Sequence, residues 1–155
     1  MNTNRPYIFL VKIAIFALII GAIPLPKILL EASPFWMLLF CTYWLVWFDG
    51  KIRFFFVLIL GILVDVAHGD ILGQNALALI LSGGFIAYVK QSFSVSNLST
   101  QQVYIFAAAS IYLALFLLVH SLIQGFHLNY YLFLAPLSSA LFWPIIRLLL
   151  AKSQY

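Results

Sequence analysis

Six long apolar runs, separated by short polar gaps, dominate the pattern along the 155 residues of the chain. Each run is continuously apolar, which favours helices over the alternating strands of a membrane barrel. Six spans of ~20 residues need about 120 residues, which leaves only short loops and tails. The pattern therefore predicts an all-α polytopic bundle, one integral membrane domain over residues 1–155, with spans at about 7–23, 35–48, 54–67, 76–89, 103–124 and 130–150.

Two features inside this pattern predict local irregularities. The one long polar stretch, from Gln91 to Gln102, is expected to hold a short interfacial helix that dips Phe93 and its apolar neighbours into the headgroups. Pro136 and Pro144 are expected to kink the sixth span.

Composition agrees with a membrane protein. Hydrophobic residues make up 65% of the chain, charged residues 8%, and the mean hydropathy is +1.11. A soluble domain of this size carries far more charge. The net charge of +4 comes from cations scattered at span ends, so topology explains it better than nucleic-acid binding.

The cations predict the orientation by the positive-inside rule. With the N-terminus in the cytoplasm, Lys12 snorkels inward and only Lys27 falls outside. Both termini are then expected to be cytoplasmic. The cations assigned directly to inner span ends are Arg5, Lys51, Arg53, Lys90, Arg147 and Lys152.

The third span carries the most unusual polar residue. Gly61, Asp65 and Gly69 recur every four residues, so a helix places them on one face, where glycines allow a second helix to approach. An acid within the membrane is a functional candidate, in a proton relay with His120 for example. Alternatively, Asp65 caps the backbone of the following turn or faces the outer surface.

Other chemistry is not indicated by the sequence. Asp65, His68 and Asp70 have suitable types for zinc but lie in one short turn with no fourth ligand nearby, so no metal site is predicted. No phosphate loop, nucleophile elbow or pair of catalytic acids occurs, so no catalytic residue and no cofactor are predicted. Ser82-Gly83-Gly84 and Ser138-Ser139-Ala140 are expected to pack against other helices.

Four short motifs carry a family resemblance. Their order, spacing and the size of the chain together resemble the bacterial rod shape-determining protein MreD family. The motifs are Ser33-Pro34-Phe35-Trp36, Gly61-Ile-Leu-Val-Asp65, the run from His68 to Leu77, and Phe142-Trp143-Pro144.

This resemblance implies a non-enzymatic scaffold of the cell-elongation (Rod) complex in the bacterial inner membrane. Such a scaffold binds MreC, supports peripheral peptidoglycan synthesis, and shares its complex with MreB, RodA and a class B penicillin-binding transpeptidase. Membrane lipids are further expected partners, and nucleic acid is not. The residues expected to serve helix packing or partner binding are Gly61, Asp65, Gly69, Gly73, Trp143 and Pro144.

The resemblance also implies a bundle similar to the S components of energy-coupling-factor transporters. A substrate-binding subunit of a small-molecule transporter is therefore the alternative function. Such subunits often dock through small residues of the first helix, where this chain has Ala14, Ala17 and Gly21.

Overall fold

A computed structural model describes residues 5–50, 52–127 and 129–153. All regular structure within these residues is helical, as expected. The helices are α1 (Arg5–Gly21), α2 (Lys27–Glu31), α3 (Trp36–Trp47), α4 (Arg53–His68), α5 (Gln74–Val95), α6 (Leu98–Gln124) and α7 (Leu134–Ser153), with a 3₁₀ turn at Tyr130–Phe133 before α7.

Helix α3 forms the centre of the bundle. Every residue from Met37 to Val46 is buried, so this helix is enclosed on all sides. It contacts α1, α5 and α7, while α5 also packs against α4 and α6. An almost wholly apolar sequence suits this enclosed position, and the aromatic residues of the run fill the centre of the bundle.

Contacts near the helix ends show that the six longer helices alternate in direction. At one end, Tyr7 of α1 contacts Phe56 near the start of α4, with 5.4 Å between ring centroids. At the other end, the backbone N–H of Phe35, which immediately precedes α3, donates to Ser139 Oγ near the start of α7 at 3.0 Å. The first end contains Arg147 and the second contains Asp65, and we name the two ends after these residues.

A glycine brings α4 and α5 unusually close together. A Cβ built on Gly61 would lie 2.3 Å from the Cα of Ala76 and 2.9 Å from its backbone nitrogen. Only a residue without a side chain fits against that backbone. Gly61 therefore lies where two helices meet, as its position in the sequence predicts.

The helices differ in whether they can cross a bilayer. Among the described residues, three segments are long and apolar enough: Gln74–Val95, Leu98–Gln124 and Tyr130–Lys152. Tyr7–Gly21 and Trp36–Trp47 are apolar but shorter. A helix of 12 residues such as α3 has a length of about 18 Å, less than a hydrocarbon core of about 30 Å. The fold is thus a membrane-type helical bundle, and the number of crossings stays a prediction.

Two local expectations were wrong. The polar stretch from Gln91 holds no separate interfacial helix, because α5 continues to Val95 and α6 begins at Leu98. Phe93 is fully buried against aromatic rings. Pro136 lies in the first turn of α7, where a backbone N–H has no partner within the helix, so it breaks no bond there.

Two of the cations that predict the orientation cannot be placed at either end of the bundle. Lys51 lies outside the described residues, and the side chain of Arg5 does as well.

Replacing Gly61 tests the close approach of α4 and α5. We expect Gly61→Ala to lower the free energy of unfolding by roughly 1–3 kcal/mol, because its methyl group would overlap the Ala76 backbone. Thermal unfolding of the purified chain in mild detergent measures the change.

Gly84→Ala is the matched control, since a Cβ at Gly84 of α5 would meet no atom within 4 Å. Equal stability of the two variants would contradict the close approach.

Candidate functional site

Asp65 caps the start of the next long helix. Its side chain is fully buried. One carboxylate oxygen accepts the Gly73 N–H at 2.8 Å, and the other accepts both the backbone and the side-chain N–H of Asn75 at 2.9 Å. The first N–H groups of a helix have no partner within it, and its positive end favours a negative group. Capping is therefore the interpretation of Asp65 that the geometry shows, and its complete burial excludes a side chain that faces the outer surface.

The loop between α4 and α5 makes this capping possible. Gly69 ends α4 at φ +69° and Gly73 precedes α5 at φ +92°, both in the left-handed region that glycine adopts readily. The Asp70 N–H bonds back to the Asp65 carbonyl at 3.0 Å. Two glycines thus reverse the chain within a few residues and aim the start of α5 at Asp65.

Asn75 extends this capping to α6. Its side-chain oxygen accepts a hydrogen bond from the Tyr112 hydroxyl, and its side-chain nitrogen also donates to Asp70 at 3.0 Å. We call Asp65, Asp70, Asn75 and Tyr112 the junction cluster. It connects α4, α5 and α6 at the Asp65 end of the bundle.

A cavity of about 460 Å³ lies beside the junction cluster. Most of its wall is apolar, and Asp70, Asn75 and Tyr112 of the cluster also line it. Its remaining wall comes from α1, α3, α4, α6, the 3₁₀ turn and the segment around α2. A cavity of this size and composition is typical of small-molecule sites.

A second polar cluster lies at the Arg147 end. The Gln101 side chain is fully buried and donates to the carbonyls of Phe93 and Ser96, at 3.0 and 3.1 Å. Its oxygen accepts from Trp143 Nε1 and from Arg147, both at 3.1 Å. We call Gln101, Trp143 and Arg147 the Gln101 cluster. It fixes α7 against the turn between α5 and α6.

An ion pair lies at the same end. Lys90 binds Asp49, and this hydrogen bond, reinforced by the charge of Lys90, holds the pKa of the Asp49 carboxyl below its usual range. The Asp49 carboxyl therefore stays ionised to a lower pH than a free aspartate, and the ion pair between the loop after α3 and α5 persists to that lower pH.

Pro144 leaves a carbonyl of α7 without its usual helical donor, since proline has no N–H to bond the carbonyl four residues before it. That carbonyl belongs to Ala140, and it accepts the side-chain N–H of Gln102 at 3.2 Å. The proline thus creates a polar contact between α6 and α7.

The six predicted site residues serve different purposes in the fold. Gly61 and Asp65 both act at the contact of α4 with α5. Gly69 and Gly73 do not lie where helices meet, because a Cβ on either would find no atom within 4 Å. Their role is in the backbone turn. Trp143 is fully buried, and it stacks on Trp47 at 6.3 Å between ring centroids.

His120 shares no hydrogen bond with the junction cluster. It stacks on Phe116 of its own helix at 6.3 Å. Within the described part of the chain, no group of three His, Cys, Asp or Glu side chains could hold a metal ion.

Sequence reasoning missed Asn75, Tyr112 and Gln101. Each is a polar side chain in an apolar helix, and such residues usually bond across helices. Gln101 lies in the polar stretch from Gln91 to Gln102, where the sequence gives no signal that separates a buried glutamine from an exposed one.

These features define a class of protein: a helical membrane bundle whose polar side chains mostly join helices. The family model described as rod shape-determining protein MreD matches residues 1–153, so the chain belongs to the MreD family. Searches of curated proteins and of solved structures returned no match.

Asp65→Asn tests the capping role. One side-chain position would become an NH₂ group facing N–H donors, so we expect a loss of roughly 1.5–3 kcal/mol in the free energy of unfolding. Thermal unfolding in detergent measures it. Asp70→Asn is the control, because Asp70 is exposed and accepts a single side-chain bond, from Asn75. Similar losses in both variants would count against capping by Asp65.

Gln101→Leu tests the second cluster. It leaves the buried Trp143 N–H without its acceptor and removes one of the two donors to the Phe93 carbonyl, which keeps the Ser96 N–H. An unsatisfied buried group costs about 1–3 kcal/mol. We expect a lower unfolding temperature and faster proteolysis after Val95. Gln91→Leu, at an exposed position of α5, serves as the control. Unchanged proteolysis in Gln101→Leu would refute the role.

Proposed function

We propose that this chain is a non-enzymatic scaffold of the Rod complex in the bacterial inner membrane. It binds MreC and supports peripheral peptidoglycan synthesis in a complex with MreB, RodA and a class B penicillin-binding transpeptidase. The observation that carries the proposal is the match to the MreD family over residues 1–153, a family defined by rod-shape determination.

The use of polar groups in the fold supports a role without catalysis. Asp65 and Gln101 are fully buried, and their hydrogen bonds go to helix ends and neighbouring helices. Groups held in this way stabilise an arrangement of helices, which is what a scaffold requires.

The proposed topology has six membrane crossings with both termini in the cytoplasm. Two observations support it. The longer helices alternate in direction, so the start of α1 and the end of α7 lie at the Arg147 end. Arg53, Lys90 and Arg147 lie at that end, whereas Lys27 begins α2 near the other. This distribution follows the positive-inside rule if the Arg147 end is cytoplasmic.

Several residues that the sequence marks for partner binding are buried and cannot contact MreC. Trp143 is enclosed by the bundle, and so is Asp65. A stripe on α1 remains uncovered, at Ile8, Val11, Ile15 and Ile19, each more than half exposed. Contact with lipid or with a partner helix therefore uses apolar faces of this kind.

The alternative of a transporter subunit has one supporting observation, the cavity near Asp70. The small residues of the first helix do not form an exposed docking surface for a transporter partner, because Ala14 and Ala17 are only 6% and 4% exposed and pack within the chain itself. The scaffold therefore remains the better-supported function.

Depletion tests the proposal. In a rod-shaped bacterium that encodes this chain, its loss is expected to produce round cells, and expression of the wild type should restore rods. Microscopy with width measurement records the result. A clean deletion with unchanged cell shape would contradict the scaffold role.

Co-purification tests the partner. Tagged chain extracted in mild detergent should retain MreC, and the stability control Gly84→Ala should retain it equally. Recovery of the folded chain with no MreC would remove the proposed contact and leave the family membership intact.

A further inference from the structure

The cavity at the Asp65 end collects most of the acidic side chains of the chain. The sequence has only four Asp and Glu residues against eight Lys and Arg. Glu31 and Asp70 line the cavity, and Asp65 lies directly behind Asn75, which also lines it. No Lys or Arg is present among the lining residues that the structure describes. A chain of net positive charge thus has a cavity of negative character.

Aromatic rings form much of the remaining wall. Phe35, Trp36, Tyr112 and Phe116 all line the cavity. The face of an aromatic ring carries negative electrostatic potential and attracts cations. Carboxylates and ring faces therefore favour the same sign of ligand charge.

His68 adds a hydrogen-bond acceptor to this wall. Its Nδ1 lies 3.0 Å from the Val64 carbonyl, and since a carbonyl only accepts, Nδ1 carries the proton. In the neutral ring Nε2 is then an acceptor. It lies beside Gly21, where a Cβ would be 3.4 Å away, so the absence of a side chain there leaves this atom uncrowded.

We infer that the cavity binds an organic cation, a molecule with an ammonium group and an apolar body. The ammonium group interacts with Glu31, Asp70 and the aromatic faces, and the apolar body fills the space against Leu18 and Met37. The volume of about 460 Å³ accommodates a ligand of small-molecule size. This inference is independent of the Rod complex role.

Two sources could supply this chemistry: a free amine, or the ammonium headgroup of a membrane lipid such as phosphatidylethanolamine. Both present the same charged group to the same wall. The experiment separates them by offering each source alone.

The first arm uses the full chain in dodecyl maltoside, an uncharged detergent without ammonium groups. Benzyltrimethylammonium is titrated by calorimetry, with phenylacetate as an anionic probe of similar shape. We expect saturable binding of the cation and none of the anion.

The second arm offers phosphatidylethanolamine or phosphatidylglycerol in the same micelles, and native mass spectrometry counts the lipid retained. Preferential retention of phosphatidylethanolamine assigns the site to a lipid headgroup. Binding of benzyltrimethylammonium without lipid preference assigns it to a free amine.

The variant Glu31→Gln/Asp70→Asn removes both lining charges and keeps oxygens that can still accept from Asn129 and Asn75. Affinity for the cation, or preference for the lipid, is expected to fall about tenfold or more, in line with the loss of two charge contacts near the protein surface. Each single variant is measured as well, so a folding defect in the double variant cannot mask the result.

Asp49→Asn is the matched control, because it removes one carboxylate at the Arg147 end, remote from the cavity. Unchanged binding in this control together with weakened binding in the cavity variants supports the site. Equal binding of cation and anion, no binding of either source, or binding that survives both cavity substitutions would overturn it.

Discussion

The bundle depends on the carboxylate of Asp65 at the start of α5. A charged side chain without hydrogen-bond partners costs about 2.5–3.5 kcal/mol at the centre of a membrane helix. The first N–H groups of a helix, in turn, lack acceptors within the helix. Bonding Asp65 to Gly73 and Asn75 meets both requirements. The contact also fixes the angle between α4 and α5, and the Gly61 backbone contact one turn away requires that same angle.

The two ends of the bundle follow one physical rule with different residues. Helix ends and proline leave backbone groups unbonded, and a membrane interior offers no water to satisfy them. At the Asp65 end, the carboxylate of Asp65 accepts the backbone N–H groups of Gly73 and Asn75. At the Arg147 end, Gln101 bonds the Phe93 and Ser96 carbonyls at the turn after α5, and Gln102 bonds the carbonyl left free by Pro144. Asp65, Gln101 and Gln102 therefore lie where helical hydrogen bonding is interrupted.

The sequence predicted those features that depend on long-range composition or on spacing along one helix. The six apolar runs correspond to the six longer helices, and Gly61 and Asp65 fall on one face of α4. Partners from distant parts of the chain could not be predicted, because no local pattern links Tyr112 to Asn75 or Gln101 to Trp143. The role of Gly69 was assigned to packing for a similar reason: spacing indicates a face but gives no backbone angle.

The placement of charge connects the fold to its role in a membrane. Cations at the Arg147 end favour one orientation, and the carboxylates at the other end are accommodated by helix capping or face the cavity. The polar groups of such a bundle bond within it, and its outer surface is apolar over much of its area, so partner helices can pack against it. This arrangement is consistent with the proposed scaffold, and the acidic cavity is large enough to accept a small molecule.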